Sequence, residues 1–231
     1  MEQKLLKTSD YIVAFIDVLG AKALIKKDVD GSLNTVHRVY EKSLEIYEKI
    51  FKELIPFDIT IFSDNIVIGR EIVNKPLLAS YFQAVHFMAA IVQESFLSQG
   101  LLVRGAIAYG SYFKDDIMVW GNALTKAYEL ESSAAIYPRI IVDPELVGEL
   151  ELFQRKELLS KLWLKQDNDG LFFIDYLQDK FIKQFDLVLL KELATFDQRI
   201  IDCGNDTRIM QKNIWQLNYI KSRITGGNAN A

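Results

Sequence analysis

"YIVAFIDVLGAKAL", residues 11–24, is the stretch on which the fold turns. An apolar run rich in Val, Ile and Phe reads as a buried strand. It carries a single carboxylate, Asp17, near its end, and Gly20 then allows a turn. Burying an unpaired carboxylate is costly, so such a group is paired, hydrogen-bonded or bound to a cation.

Downstream, apolar residues recur at helical spacing from about Leu33 to Leu54, and Pro56 punctuates the end. "FDITIFSDNIVIGR" (57–70) shows two β-rich runs separated by Ser63, Asp64 and Asn65, which predicts a hairpin with Asp64 at its tip. A second helix is expected from about Pro76 to Ser98, capped by Gly100. "LLVRGAIAYGSYFKDDIMVWG" (101–121) predicts a strand and hairpin with Asp115 and Asp116 in the turn. "NALTKAYELESSA" (122–134) has a helical composition, "RIIVDPEL" (139–146) reads as a strand stopped by Pro144, and "GLFFIDYL" (170–177) as a last strand. The order predicts an α+β fold, a mixed sheet with helices on one face. From about Gln178 the strand signals stop. The expected organisation is a main domain over 8–177, a helical extension over 178–224 with no residue that looks catalytic, and a disordered tail over 225–231.

Half of the 231 residues are apolar and 12% aromatic, enough for a real core, and the formal net charge is −4. That balance argues against a domain that binds nucleic acid through a large basic face. Cys203, the single cysteine, has no intrachain partner for a disulfide and no metal-binding spacing, which fits a reducing, cytoplasmic setting. The N-terminus lacks the apolar core of a signal peptide, and no apolar stretch approaches the roughly 20 residues needed to span a bilayer, so no membrane association is expected.

A carboxylate at the end of a central strand and another at the tip of the neighbouring hairpin fall side by side in a β-α-β-β sheet. Mg²⁺ and Mn²⁺ take such oxygen ligands together with substrate phosphates. On spacing alone a second reading stays open, in which Asp17 caps the following turn and Asp64 is only a turn residue.

Four segments together resemble one family. "FIDVLGAKAL" is similar to the first metal-binding segment of class III nucleotidyl cyclases (F-x-D-[IV]-x-G-F-[TS]), "IFSDNIVIG" to their second (K-x-x-G-D-x-F-x-A), and "VRGAIAYG" followed by "VWGNALTKAYELESSA" to "VRxGIHxG" and "WGxxVNxAxRxES". The resemblance runs in order from about Tyr11 to Val142. It implies a ferredoxin-like cyclase core that pairs head to tail as a homodimer, with active sites at the interface. It also implies two Mg²⁺ or Mn²⁺ ions per site, held by Asp17, Asp64 and the backbone carbonyl of Val18, and a turn, Leu19, Gly20, Ala21 and Lys22, whose amides wrap the phosphates of a nucleoside triphosphate. The ions would serve in-line attack of the ribose 3′-hydroxyl on the α-phosphate and departure of pyrophosphate.

The departures from the pattern are informative. The purine-reading positions hold Thr60 and Met118, and the transition-state Asn and Arg positions hold Thr125 and Glu129. Glu129 cannot stabilise a developing negative charge, so a cation must come from elsewhere or activity is low or absent. Arg104 is one candidate, against a structural ion pair; Lys22 is a second, and Lys165 lies near where the family often keeps a phosphate lysine. Arg70, Lys126 and Arg139 read as solvated surface residues, Tyr47 and Tyr109 as pocket or core, and His37 and His86 as surface or structural groups. This pattern resembles the pyrimidine cyclases of bacterial Pycsar anti-phage systems, which make cyclic CMP or cyclic UMP for a separate effector protein. Two alternatives remain at this stage: a non-catalytic cyclase-homology module that binds a nucleotide or dimerises, and a cyclase acting on ATP or GTP.

Overall fold

The computed structural model describes residues 5–50, 52–53, 55–153, 162–177 and 195–226. Strand β1 (Ser9–Val18) lies in the middle of the sheet, antiparallel to β3 (Asn65–Glu71) on one side and β4 (Val103–Lys114) on the other. Beyond β3 lies β2 (Asp58–Phe62). Beyond β4 come β6 (Ile140–Val142, parallel to β4), β8 (Phe172–Ile174) and the edge strand β7 (Leu164–Gln166), while β5 (Val119–Trp120) pairs with the far end of β4. The helices are α1 (Ala21–Lys27), α2 (Val29–Ile50), α3 (Leu78–Leu97), α4 (Asn122–Ser133), α5 (Pro144–Phe153) and α6 (Thr207–Gly226).

β1 is apolar on both sides because both sides are covered. Ile12, Ala14 and Ile16 face the larger core, where Phe82, Met88 and Phe96 of α3 and Tyr40 of α2 pack against the sheet. Val13 and Phe15 point the other way, into a smaller cluster with Val67, Ala108, Tyr112 and Ala123 and Ala127 of α4. The mixed sheet is as expected, but the helices are not all on one face: α2 and α3 take one side and α4 the other. The alternation of β1 settles this, since period 2 sends Asp17 to the α4 side together with Val13 and Phe15.

Three elements went unread in the sequence. α1 has seven residues, too short for a periodic signal, and follows directly on the Gly20 turn. Pro144 ends β6 but also opens α5, a position that its fixed φ and missing N–H suit. β7 is a polar three-residue edge strand. Arg139, expected on the solvated surface, is wholly buried and ion-paired to Asp167 and Asp169. Of the C-terminal segment, residues 195–202 and α6 are helical, and 203–206 join them. Residues 178–194 and the tail from 227 lie outside the described residues. No helix among the described residues is long and apolar enough to cross a membrane.

Candidate active site

Asp17 sits one residue from the end of β1, opposite Asn65 of β3 and Arg104 of β4. The β2–β3 turn is tied directly to this strand end. The Val18 amide donates to the Asp64 carbonyl at 3.2 Å, and the Tyr40 hydroxyl donates to the same oxygen at 3.2 Å. These bonds to the Asp64 main chain leave its carboxylate free of the backbone, with Ser63 Oγ donating to Oδ1 at 2.8 Å and Asn65 Nδ2 approaching it at 3.4 Å. The two carboxylates are close enough to sense each other. Burial and the neighbouring Asp64 charge push the Asp17 carboxyl up from its ordinary value, while Arg104 pulls it down. Burial and the same two carboxylates raise the Tyr40 hydroxyl.

Arg104 Nε lies 3.5 Å from Asp17 Oδ2 and 2.6 Å from Glu131 Oε1. Glu131, near the C-terminal end of α4, is only 3% exposed. Burial raises its carboxyl, and the Arg104 charge opposes that. The result is a run of alternating charge, Asp64 and Asp17, then Arg104, then Glu131, along one end of the sheet. Glu131 falls in the "ES" of the family pattern, but its partner could not be read without the turn of α4 toward β4.

After β1 the chain turns at Gly20, whose φ of +80° is a left-handed conformation that glycine adopts without strain. Of the four turn residues singled out in the sequence, Leu19 already donates its amide to the Leu102 carbonyl at 2.8 Å. The amides of Gly20, Ala21 and Lys22 make no hydrogen bond among the described residues. The Lys22 side chain is exposed on α1.

Thr60 pairs with Val67 and shares the α4 side of the sheet with Asp17 through the Val67–Phe15 pair. Its hydroxyl oxygen is buried without a partner among the described residues. Met118 and Thr125 are not brought to Asp17 within one chain. Met118, 43% exposed, lines a cavity with Leu6, Phe113 and Trp120 beyond the Ser9 end of β1. At about 3.3 Å per residue, the ten residues of β4 from Arg104 to Lys114 put roughly 30 Å between that hairpin and Asp17. Thr125 is exposed near the start of α4, with its hydroxyl donating to the Gly121 carbonyl at 3.3 Å. Glu129 is exposed on α4.

The remaining side chains take structural parts. His86 is buried against Trp163, its Nε2 3.2 Å from the Trp163 carbonyl, and burial lowers its pKa to about 4. Tyr47 accepts from the Phe57 amide at 3.0 Å, and Tyr109 donates to Asp10 at 3.2 Å. Lys126 pairs with Glu145, and Arg70 donates to the Pro56 carbonyl at 2.7 Å. Lys165 is turned toward α6, 3.4 Å from Ser222 Oγ and over the Tyr219 ring.

Two facing carboxylates are a hard-oxygen set of the kind Mg²⁺ and Mn²⁺ take. Burial first and the Asp64 charge second raise the Asp17 carboxyl, and a divalent cation would offset both, so the residues fit the ions. Among the described residues no cluster of three or more His, Cys, Asp or Glu side chains is arranged around one point.

No family model matches the sequence, and no curated protein does. Solved structures do. The fold matches the monomeric guanylyl cyclase domain of the RhoGC fusion protein from the aquatic fungus Blastocladiella emersonii with a TM-score of 0.52 at 12% identity, over 73% of this chain and 96% of that one. The chain has the class III nucleotidyl cyclase fold. A non-canonical dimeric form of the same fungal domain matches with a TM-score of 0.50 at 12% identity, over 73% and 94%. A class III adenylyl cyclase-like ATP-binding protein from Pseudomonas aeruginosa also matches, with a TM-score of 0.50 at 8% identity over 73% of this chain. The chain spans 39% of that last protein's length.

Proposed function

We propose that this chain is a metal-dependent nucleotidyl cyclase that converts a pyrimidine nucleoside triphosphate, CTP or UTP, to a 3′,5′-cyclic nucleotide and pyrophosphate. The observation that carries the reading is the 3.2 Å bond from the Val18 amide to the Asp64 carbonyl, which draws Asp64 beside Asp17, whose carboxylate Arg104 flanks at 3.5 Å. Asp17, Asp64 and the Val18 carbonyl would hold Mg²⁺ or Mn²⁺, which when bound supplies Lewis-acid stabilisation of the triphosphate. The unengaged amides of Gly20, Ala21 and Lys22 receive phosphate oxygens, and Arg104 adds a cation beside them. The 3′-oxygen bonds to the α-phosphorus, the bond to the bridging oxygen breaks, pyrophosphate departs and the hydroxyl proton passes to solvent.

Pyrimidine use rests on Thr60 and Met118, which offer neither purine-reading set. Within one chain Met118 and Thr125 lie away from Asp17, and in a head-to-tail homodimer a second copy would bring them to the site. Exposed Phe62, Met118, Trp120 and Tyr128 supply apolar surface for it. In this reading residues 8–177 form the catalytic unit and 178–224 an extension on it, and the product is a signal in anti-phage defence read by a separate effector.

Glu129 and Thr125 favour a second reading, a nucleotide-binding module without catalysis. The adenylyl and guanylyl cyclase neighbours favour a third, turnover of ATP or GTP. Incubating the protein separately with ATP, GTP, CTP and UTP and Mn²⁺, with Asp64→Ala alongside, separates them. Cyclic CMP or cyclic UMP, lost in the variant, is expected. Product that survives Asp64→Ala overturns the site.

A further inference from the structure

α4 buries three residues spaced four apart, Ala123, Ala127 and Glu131, on the face it turns to the sheet. The two alanines pack into the cluster with Val13 and Phe15 of β1. Glu131 stands where a third core residue would be expected, and neither the metal carboxylates nor the phosphate turn makes use of it. A carboxylate is kept in such a place only where a charge answers it. Arg104 supplies that charge: its Nε lies 2.6 Å from Glu131 Oε1, and both atoms are sealed from solvent. Of the other charged groups that Glu131 senses, Asp17 opposes Arg104 and Lys212 of α6 adds a weaker positive influence.

The same Nε lies 3.5 Å from Asp17 Oδ2, so one guanidinium stands between two carboxylates and is closer to the one outside the metal site. An arginine beside a metal-binding carboxylate works against the metal. It competes for the carboxylate oxygens and repels an incoming divalent cation, the more so in a site from which water is largely excluded. Glu131 offsets both effects, because it engages the guanidinium at shorter range and neutralises its charge. Without the Glu131 charge, Asp17 is the one carboxylate left within ion-pair distance of Arg104 among the described residues.

We propose that Glu131 is a positioning residue of the metal site: acting through Arg104, it keeps the guanidinium from competing for Asp17, so that Asp17 and Asp64 stay available to a divalent cation. The proposal rests on the cyclase reading, and in particular on its metal site. It explains how an arginine can sit against Asp17 without displacing the metal, and why α4 ends its buried stripe on a charge.

The test titrates Mn²⁺ alone, without nucleotide, into the full chain and follows free Mn²⁺ by electron paramagnetic resonance. Wild type is compared with Glu131→Gln and with the double variant Arg104→Gln/Glu131→Gln, each checked for folding by circular dichroism. Glu131→Gln leaves the arginine charge unanswered and should weaken Mn²⁺ binding about tenfold. The double variant removes the competing charge as well, so its affinity should return close to that of wild type. Equal Mn²⁺ affinity in wild type and Glu131→Gln overturns the proposal and leaves the metal site standing. So does a double variant as weak as the single one, because the loss then comes from altered packing rather than from Arg104. If Glu131→Gln fails to fold, Glu131→Asp decides: it sets the carboxylate back from Arg104 and should show a smaller loss, again recovered when Arg104→Gln is added, and wild-type affinity there overturns the proposal. No Mn²⁺ binding by wild-type protein, or binding that survives Asp64→Ala, overturns the metal site and the proposal with it.

Discussion

Glu94 offers a quantitative test of how the larger core is built. It lies on α3, half-buried, with Oε1 sealed from solvent and without a hydrogen-bond partner among the described residues. Burial pushes its carboxyl up to about 7, and Lys42 offsets only part of this. A group raised in the folded state contributes stability that is present below its unfolded value of 4.5 and is lost as pH rises through 7. At about 1.4 kcal/mol per pH unit, ionised Glu94 costs the folded state roughly 3 kcal/mol, which partial solvent access trims to about 2. Glu94→Gln keeps the shape and never ionises. The variant should therefore be about 2 kcal/mol more stable than wild type at pH 8, with the gap narrowed to about 0.5 kcal/mol at pH 5. Urea unfolding of both proteins at the two pH values measures this, and each difference between variant and wild type cancels the other titrating groups. The same difference at pH 5 and pH 8 would refute the reasoning, because no buried charge would then be involved.

Further substitutions probe other parts of the account. Glu131→Ala leaves Arg104 without its closer partner in a site that is three-quarters buried; it should cost about 3 kcal/mol, read as a lower urea midpoint. Gly121, with φ of +146°, has no room for a Cβ, which would meet the Ser111 carbonyl oxygen at 2.3 Å. Gly121→Ala should cost about 2 kcal/mol or more, and a variant with wild-type thermal stability would contradict the tight approach of α4 to β4. His86 runs opposite to Glu94: its folded pKa of about 4 lies below the unfolded 6.5, so its contribution is intact above pH 6.5 and is lost as pH falls toward 4. His86→Gln should therefore lose less stability than wild type between pH 7 and pH 5.

The sequence carried the parts of this fold that rest on local pattern. The central strand is legible as an unbroken apolar run because both of its faces are covered, the hairpin bearing Asp64 by the turn residues that part its two β-rich runs, and α2 by the period of 3.6 that one buried face imposes. Which face α4 covers is not legible in its own residues; it follows from the pairing of β1 with β4, a contact across about ninety positions. Arg139 misled for the same reason. A lone arginine after a proline reads as surface until Asp167 and Asp169 fold back onto it. Asp17 could be singled out because it is the one carboxylate of a long apolar run, and Asp64 because its hairpin resembles the second metal-binding segment of the cyclases. Glu131 could not, because it is an ordinary charged residue on an amphipathic helix until tertiary structure brings it to Arg104.

The central claim is that Asp17 and Asp64 form a site that cyclises a pyrimidine nucleotide. Its most direct test is a competition in which the protein, Mn²⁺ and an equimolar mixture of ATP, GTP, CTP and UTP are incubated together and the cyclic products and pyrophosphate are quantified by mass spectrometry. The account predicts cyclic CMP or cyclic UMP as the main product, with an equal amount of pyrophosphate. Absence of every cyclic nucleotide contradicts the enzyme, and a cyclic purine as the main product contradicts the part assigned to Thr60 and Met118.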